Sequence, residues 1–400
     1  MLEKASQTIP GYFCRRADKP RQLRRRYAAP RLFRRPEVLG ALAAAFLFAP
    51  ASGAPDAAKG KAFGRPRGIF ILDSRQGTPY RNGTLRDANL RDYPFVSGYV
   101  LRSSWEFMEP ARGQYDFKII DHILAKLPKG QKLSMILHSP DPADIAATAG
   151  VVTWQDEDRQ GNALKRAVPW DPLLRERRGA FLAALAAHQT GGIALRDNPV
   201  LVAVNPFLPG GHTGIRDPNT AWFRALPGYT RAKLLATVQD ELRTLTAQFP
   251  RTFIQIGSWK VTDNEKGREA WQEIRETLLA EFNGVTRPRV GFFMENLAAS
   301  RPTPGKDPVS GYPVTEYGAP LFLSRDQTWI SFQALTCWKR PFTGAPKVAN
   351  GTPADGMRYA QDTYGCVYFE HYLPDLENPD WRADFQTWHD LLTSTTATKP

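Results

Sequence analysis

Eight short, nearly continuous apolar runs follow one another between residues 68 and 372, and this alternation constrains the fold more than any other feature of the chain. Apolar runs of this length, without a polar residue at every second position, are typical of parallel strands that are buried on both faces. The predicted strands are Gly68–Asp73, Val96–Leu101, Lys132–His138, Val200–Phe207, Phe253–Ser258, Val290–Met294, Trp329–Leu335 and Cys366–Tyr372.

Amphipathic segments with helical spacing separate these runs and predict the connecting helices. Eight strands joined by helices over about 330 residues predict the α/β class and, within it, a single-domain (β/α)₈ TIM barrel. A doubly wound open sheet is the alternative, but the first strand is not followed by a Gly-rich dinucleotide-binding turn. The predicted helices are Phe117–Leu127, Leu173–Thr190, Arg231–Gln248, Lys266–Phe282, Asp355–Tyr364 and Asp384–Leu392.

The amino-terminal segment has the parts of a secretory signal: clustered arginines, the 12-residue apolar run Val38–Ala49, and small residues at Ala51–Ala54. We therefore expect residues 1–54 to be a basic leader and signal peptide, cleaved after Gly53 or Ala54. Residues 55–66 are the expected linker, 67–392 the barrel and 393–400 a disordered tail. This predicts an exported protein, periplasmic or extracellular. A disordered basic tail with an isolated apolar patch is the alternative.

The charge of the chain argues against nucleic acid as a partner. The formal net charge is +13, but residues 1–54 carry 11 Lys and Arg against 3 Asp and Glu, which leaves +5 for the remaining residues. A weak excess spread over a large domain, without a basic helix, does not predict a nucleic-acid surface. No apolar run reaches the roughly 18 residues that a transmembrane helix needs. The sequence gives no indication of the oligomeric state.

The cysteines and histidines predict neither a disulfide nor a metal site. Cys337 falls at the end of one predicted strand and Cys366 at the start of the next, so the two lie at opposite ends of a parallel sheet and are predicted to be free thiols. The spacings Cys-x-x-Cys and His-x-x-x-His, which would suggest zinc, are both lacking. We expect no cofactor.

The most distinctive motif follows the second predicted strand. The segment from Trp105 to Asp121 reads WEFMEPARGQYDFKIID and resembles the W-x-x-x-E-P-x-x-G-x-Y-D-F-x-x-x-D signature of clan A glycoside hydrolases, family 42 β-galactosidases in particular. The segments Val168–Pro172 and Tyr368–Asp375 are also similar to these barrels. The resemblance implies a (β/α)₈ fold and a saccharide ligand. We interpret Glu109 as structural, and Trp105 as either a core residue or a platform for a sugar ring.

The chain departs from that family at both of its catalytic positions. Clan A enzymes carry one glutamate after strand four and a second at the end of strand seven. Here Asn205 is followed by Pro206, and the seventh predicted strand carries Gln333. Since glycoside hydrolysis usually needs two carboxyl groups across the scissile bond, the family's catalytic residues cannot be transferred to this chain.

Other carboxylates lie near the ends of predicted strands, where the side chains of a barrel converge on its mouth. Glu295 follows an apolar strand that could raise its pKa for acid catalysis. Glu370 lies within the last strand, and together the two form the predicted catalytic pair. Aromatic side chains at the strand ends offer flat faces for sugar rings. The predicted substrate-binding residues are Asp73, Trp105, His138, Asn205, His212, Trp259, Asn296, Gln333, Trp338 and Tyr372.

These observations predict an exported barrel that binds and hydrolyses an oligo- or polysaccharide. The alternative is a catalytically inactive barrel that binds a glycan or acts as an interaction protein of the cell envelope. The two missing glutamates favour this alternative, whereas a carboxyl pair about 5–10 Å apart would favour the enzyme.

Overall fold

The fold is seen in a computed structural model of the 400-residue chain. The structure describes residues 65–72, 90–138, 141–157, 163–206, 208, 214–215, 222–258, 269–284, 287–304, 318–339 and 351–394. The predicted leader 1–54 lies outside these residues, as do residues 55–64 of the linker and 395–400 of the tail.

Eight parallel strands close into a barrel. In chain order they pair as neighbours from β1 to β8, and β8 pairs with β1, so the sheet has no open edge among these strands. This excludes the open doubly wound sheet. The strands are β1 Gly68–Leu72, β2 Gly98–Ser104, β3 Lys132–His138, β4 Leu201–Asn205, β5 Phe253–Ser258, β6 Val290–Leu297, β7 Ile330–Ala334 and β8 Tyr368–Tyr372.

Long helices follow six of these strands in the described part of the chain, and their apolar faces pack against the barrel. Helix α2 begins at an N-cap aspartate, Asp171, whose carboxylate accepts from the N–H groups of Leu173 and Leu174, with Pro172 in the first turn. The helices are α1 Lys118–Lys126, α2 Pro172–Ala187, α3 Arg231–Gln248, α4 Ala270–Phe282, α5 Pro353–Tyr364 and α6 Arg382–Thr393.

The long connections after β3 and β6 both begin at the carboxyl-terminal end of the barrel, because all eight strands are parallel. The first contains a short helix, Ala143–Ala147, and an antiparallel hairpin, Thr153–Glu157 with Ala163–Ala167. The second contains Ala319–Phe322, a helix of four residues. Two smaller hairpins that the sequence did not predict, Gln189–Thr190 with Ile193–Ala194 and Asn283–Gly284 with Arg287–Pro288, lie between a helix and the following strand, at the other end of the barrel.

Aromatic rings fill the interior near the amino-terminal ends of the strands. The rings of Phe70 and Tyr368 stack with centroids 4.3 Å apart, and Trp329 contacts both Phe253 and Tyr368. Room for Trp329 depends on Gly291 in β6, because a Cβ atom added there would come 2.1 Å from the indole ring. The glycine is thus required by packing rather than by its backbone angles.

Gly291→Ala is expected to lower the free energy of unfolding by about 1–3 kcal/mol, because the added methyl must displace a ring in a filled core. Gly179→Ala is the matched control: Gly179 lies within helix α2, and its added Cβ would meet nothing within 4 Å. Helix propensity predicts that this second variant is more stable by about 0.5–1 kcal/mol. Equal effects in a urea unfolding titration would contradict the packing argument.

Cys337 and Cys366 are both buried and form no disulfide with each other. The Cys337 thiol donates to the carboxylate of Asp375, and the Cys366 thiol donates to the carbonyl of Tyr368. Within the described residues, no helix combines the length and the apolar character that crossing a membrane requires.

Candidate functional site

Arg102 brings the two predicted catalytic carboxyls together inside the barrel. It lies in β2, Glu295 in β6 and Glu370 in β8, so the three side chains meet across the interior. Arg102 Nη2 donates to Glu295 Oε1 at 3.0 Å and lies 4.0 Å from Glu370 Oε2. Because both distances are measured from one nitrogen, the two carboxylate oxygens are at most about 7 Å apart.

The two carboxyls differ in their exposure. Glu370 is completely buried, whereas Glu295 retains 8% of its accessible surface. Strand register is irregular at Glu295, since the pairing of β6 with β7 shifts between Met294 and Leu297. Irregular pairing of this kind re-aims side chains at the rim of a barrel. Glu295 is therefore the member of the pair that lies nearer to solvent.

Hydrogen bonds from across the barrel and from its own strand hold the Glu370 carboxyl. Its Oε1 accepts from Gln255 Nε2 in β5 and from the Tyr368 hydroxyl, each at 3.2 Å. Burial raises the pKa of Glu370 to about 7, and the negative charge of Glu295 adds to this effect; the charge of Arg102 and the two donors oppose it. Glu370 therefore keeps its proton well above the pH at which a solvated glutamate loses it.

Gln333 and Tyr372 complete this group of side chains. Gln333 pairs in register with Glu370, and its Nε2 donates to the Tyr372 hydroxyl at 3.1 Å. Burial raises the pKa of Tyr372 to about 12, with Arg102 opposing the shift and Glu295 contributing to it. Two of the predicted site residues, Glu295 and Glu370, thus lie at one guanidinium, and two others, Gln333 and Tyr372, are joined by a hydrogen bond beside Glu370.

Two predicted asparagines lie at strand ends in different surroundings. Asn205 ends β4 and is fully buried, and neither polar atom of its side chain has a hydrogen-bond partner among the described residues. Asn296 follows Glu295 in β6 and is half-buried. His138 ends β3, opposite Ser104 in the strand register. Their roles in binding stay predictions.

The predicted tryptophans that the structure describes are packing residues in this conformation. Trp105 is fully buried, and its ring lies 5.7 Å from that of Phe181, centroid to centroid. Trp338 is also buried, 5.9 Å from the His371 ring. Neither indole offers a free face to a sugar, which favours the core interpretation of Trp105. Asp73, His212 and Trp259 lie outside the described residues.

His371 lies on the other face of β8 from Glu370, as the alternation of a strand predicts. Its ring packs against Phe385 of α6, 5.2 Å between centroids, and is fully buried. Burial lowers the pKa of His371 to about 3. The imidazole is therefore neutral at ordinary pH and belongs to the layer between the barrel and its helices.

The distinctive motif after β2 is held together by Glu109. Its carboxylate accepts from the Trp105 indole N–H, from the Gly113 backbone N–H at 2.8 Å and from Arg177 of α2 at 2.7 Å. Gly113 has a positive φ of 71°, which the turn requires. Glu109 is 2% exposed, so its contacts support the structural interpretation made from the sequence.

Sequence reasoning missed Arg102, Gln255 and Tyr368, which hold the carboxyl pair. Arg102 follows directly on the predicted strand Val96–Leu101, whereas the observed strand continues to Ser104. A charged residue within an otherwise apolar strand was the available signal, because buried charges are normally paired. In the described part of the chain, no three His, Cys, Asp or Glu side chains are grouped so that they could hold a metal ion.

No protein-family model and no curated protein matches this chain. Solved structures with a similar fold include endo-glycoceramidase II from Rhodococcus sp., at 14% identity over 81% of this chain and 79% of that chain, with a TM-score of 0.44. The endo-1,4-β-mannanase from Rhizomucor miehei matches at 9% identity over 83% of this chain and 96% of that chain, with a TM-score of 0.47.

A β-galactosidase from Rahnella sp. R3 is similar at 11% identity and a TM-score of 0.48, over 82% of this chain and 56% of that chain. This chain thus spans little more than half of that β-galactosidase. These neighbours are glycoside hydrolases with a TIM barrel, and they do not establish family 42 in particular. At such identities the likeness concerns the barrel fold alone.

Proposed function

We propose that this protein binds an oligo- or polysaccharide at the carboxyl-terminal end of the barrel and hydrolyses a glycosidic bond there. The observation that carries the proposal is the pairing of Glu295 and Glu370 on one guanidinium, with their oxygens at most about 7 Å apart. Separations of about 5–10 Å between two carboxyl groups are those that glycoside hydrolysis uses. A saccharide is the ligand implied by the resemblance of the Trp105–Asp121 segment to clan A glycoside hydrolases.

The two carboxyls differ in the way that acid–base catalysis requires. Glu370, with its pKa raised to about 7, holds a proton that it can donate to a leaving oxygen. Glu295 is paired with Arg102 at 3.0 Å, and its carboxylate serves as the base or nucleophile. When the surroundings of two carboxyls push their pKa values apart, one can act as the acid and the other as the base.

Glycan binding without hydrolysis is the second candidate. It is favoured by the burial of Glu370, which has no accessible surface and lies behind Arg102. Contact between Glu370 and a substrate requires the side chains at the mouth to move. The ends of β4 and β7, which carry Asn205 and Gln333, supply amides rather than carboxyls. In either case we propose that the protein is exported, because residues 1–54 have the sequence pattern of a secretory leader.

A panel of oligosaccharides and polysaccharides, scored for binding and for release of reducing ends, tests the proposal. We expect at least one glycan that both binds and is cleaved by the wild-type chain. Cleavage should be lost in Glu295→Gln and kept in Glu377→Gln, a control at an exposed carboxyl in the turn after β8. Binding without release across the panel would contradict the enzyme and support the second candidate.

A further inference from the structure

We propose that Arg102 is a positioning residue that holds the negative charge of the carboxyl pair on Glu295, while burial and this neighbouring charge keep Glu370 protonated. The proposal rests on the proposed function for its catalytic meaning, since it decides which carboxyl is the acid and which the base. The charge assignment itself depends only on the arrangement of side chains inside the barrel.

Charge balance supplies the first argument. The charged and titratable groups that face Glu370 are Arg102 from β2, Glu295 from β6, and Tyr368 and Tyr372 from its own strand. Arg102 is the one cation within 4.0 Å of Glu370 among the described residues. One guanidinium balances one carboxylate, and a second buried negative charge without compensation is strongly unfavourable.

The unequal distances supply the second argument. Arg102 donates a hydrogen bond to Glu295 Oε1 at 3.0 Å but lies 4.0 Å from Glu370 Oε2, which is beyond hydrogen-bond length. An ionised Glu370 would attract the guanidinium to the shorter distance that charge-assisted hydrogen bonds adopt. The guanidinium is instead placed to neutralise Glu295.

The hydrogen bonds of Glu370 supply the third argument. Its Oε1 accepts two donors, from Gln255 and Tyr368, whereas its Oε2 has no hydrogen-bond partner among the described residues. A carboxylate has acceptor capacity on both oxygens, and an unused buried oxygen is costly when it is charged. A carboxylic acid with its proton on Oε2 fits the arrangement, and the buried side-chain carbonyls of Gln255 and Gln333 are unused acceptors in the same interior.

Infrared titration of the full chain tests the assignment, because a protonated carboxyl has its own C=O stretch. We expect the wild-type protein to show this signal for a buried acid that titrates near pH 7, and Glu370→Gln to lose it. Arg102→Met should move the midpoint upward by at least one pH unit, since the cation that opposes protonation is gone. Arg102→Lys, which keeps a positive charge, should move it less.

Glu295→Gln should move the midpoint in the opposite direction. It removes the like charge beside Glu370 and frees Arg102 to approach it, so both changes favour the ionised form. This variant keeps the test decisive if Arg102→Met does not fold. Arg112→Met, at an exposed arginine in the turn after β2, is the control and should leave the midpoint unchanged.

A buried-acid signal that survives in Glu370→Gln, or a midpoint that shifts in the same direction in Arg102→Met and Glu295→Gln, would overturn the proposal. No glycan is present in this titration, so its result is independent of the proposed function. Opposite shifts together with a glycan panel that shows no hydrolysis would support the charge assignment and refute the enzyme. Hydrolysis without the opposite shifts would support the enzyme and refute the charge assignment.

Discussion

Glu295→Gln is expected to lower the rate of glycan hydrolysis by about 10²–10⁴-fold, which is the usual contribution of a general acid or base. The barrel should remain folded, because glutamine has nearly the same volume as glutamate. Arg102 also keeps a possible counterion, since the carboxyl of Glu370 lies 4.0 Å away and can ionise when the charge of Glu295 is removed. Initial rates on a cleaved glycan and a urea unfolding titration measure the two effects separately.

Glu370→Gln should cause a loss of activity in the same range, and the double variant should lose little more, because losses within one catalytic unit are not additive. Stability should behave differently. The double variant leaves Arg102 buried without a carboxylate beside it, at a cost of about 3–5 kcal/mol. Hydrolysis that survives in both single variants would show that other residues carry the chemistry.

The barrel could be predicted because its signal is local. Strands β3 and β5 and helix α3 have the bounds predicted from their apolar patterns, Lys132–His138, Phe253–Ser258 and Arg231–Gln248. Two errors at strand ends bear on the site. The end of β2 was placed at Leu101 and that of β6 at Met294, whereas both strands continue for three more residues. At both ends the last residues include polar side chains that are buried by partners across the barrel. A prediction from apolar runs therefore ends these strands too early.

The candidate site could be predicted only in part, because contacts across the barrel leave no local pattern in the sequence. Glu295 and Glu370 were found as carboxyls near the ends of apolar strands, which is a property of each strand alone. Arg102 joins them from β2, across sequence separations of 193 residues or more, and that contact depends on how the strands tilt as the barrel closes. The sequence likewise could not decide whether Trp105 is a core residue or a platform for a sugar ring, because its burial depends on Phe181 in a helix more than 70 residues away.

Glu109→Ala is expected to lower the free energy of unfolding by about 3–5 kcal/mol, as removal of one partner from a buried ion pair does. The carboxylate of Glu109 accepts from Trp105, Gly113 and Arg177, and alanine would leave all three donors without it. Arg177 would retain Asp144, whose carboxylate accepts from its Nη1 at 2.8 Å, so part of its charge stays compensated. The loss should therefore fall toward the lower end of this range.

Glu106→Ala is the matched control, since Glu106 lies three residues earlier, is exposed and contributes a charge of the same sign. It should change the unfolding free energy by no more than about 0.5 kcal/mol. Glu109→Gln removes the negative charge that balances Arg177 and keeps one acceptor: its amide oxygen can replace Oε1, which accepts from Gly113 and Arg177, or Oε2, which accepts from the indole, but not both. We expect this variant to lie between wild type and Glu109→Ala in urea titrations. A loss below about 1 kcal/mol in Glu109→Ala would show that the motif after β2 does not depend on this carboxylate, and its role would then have to be sought in ligand binding.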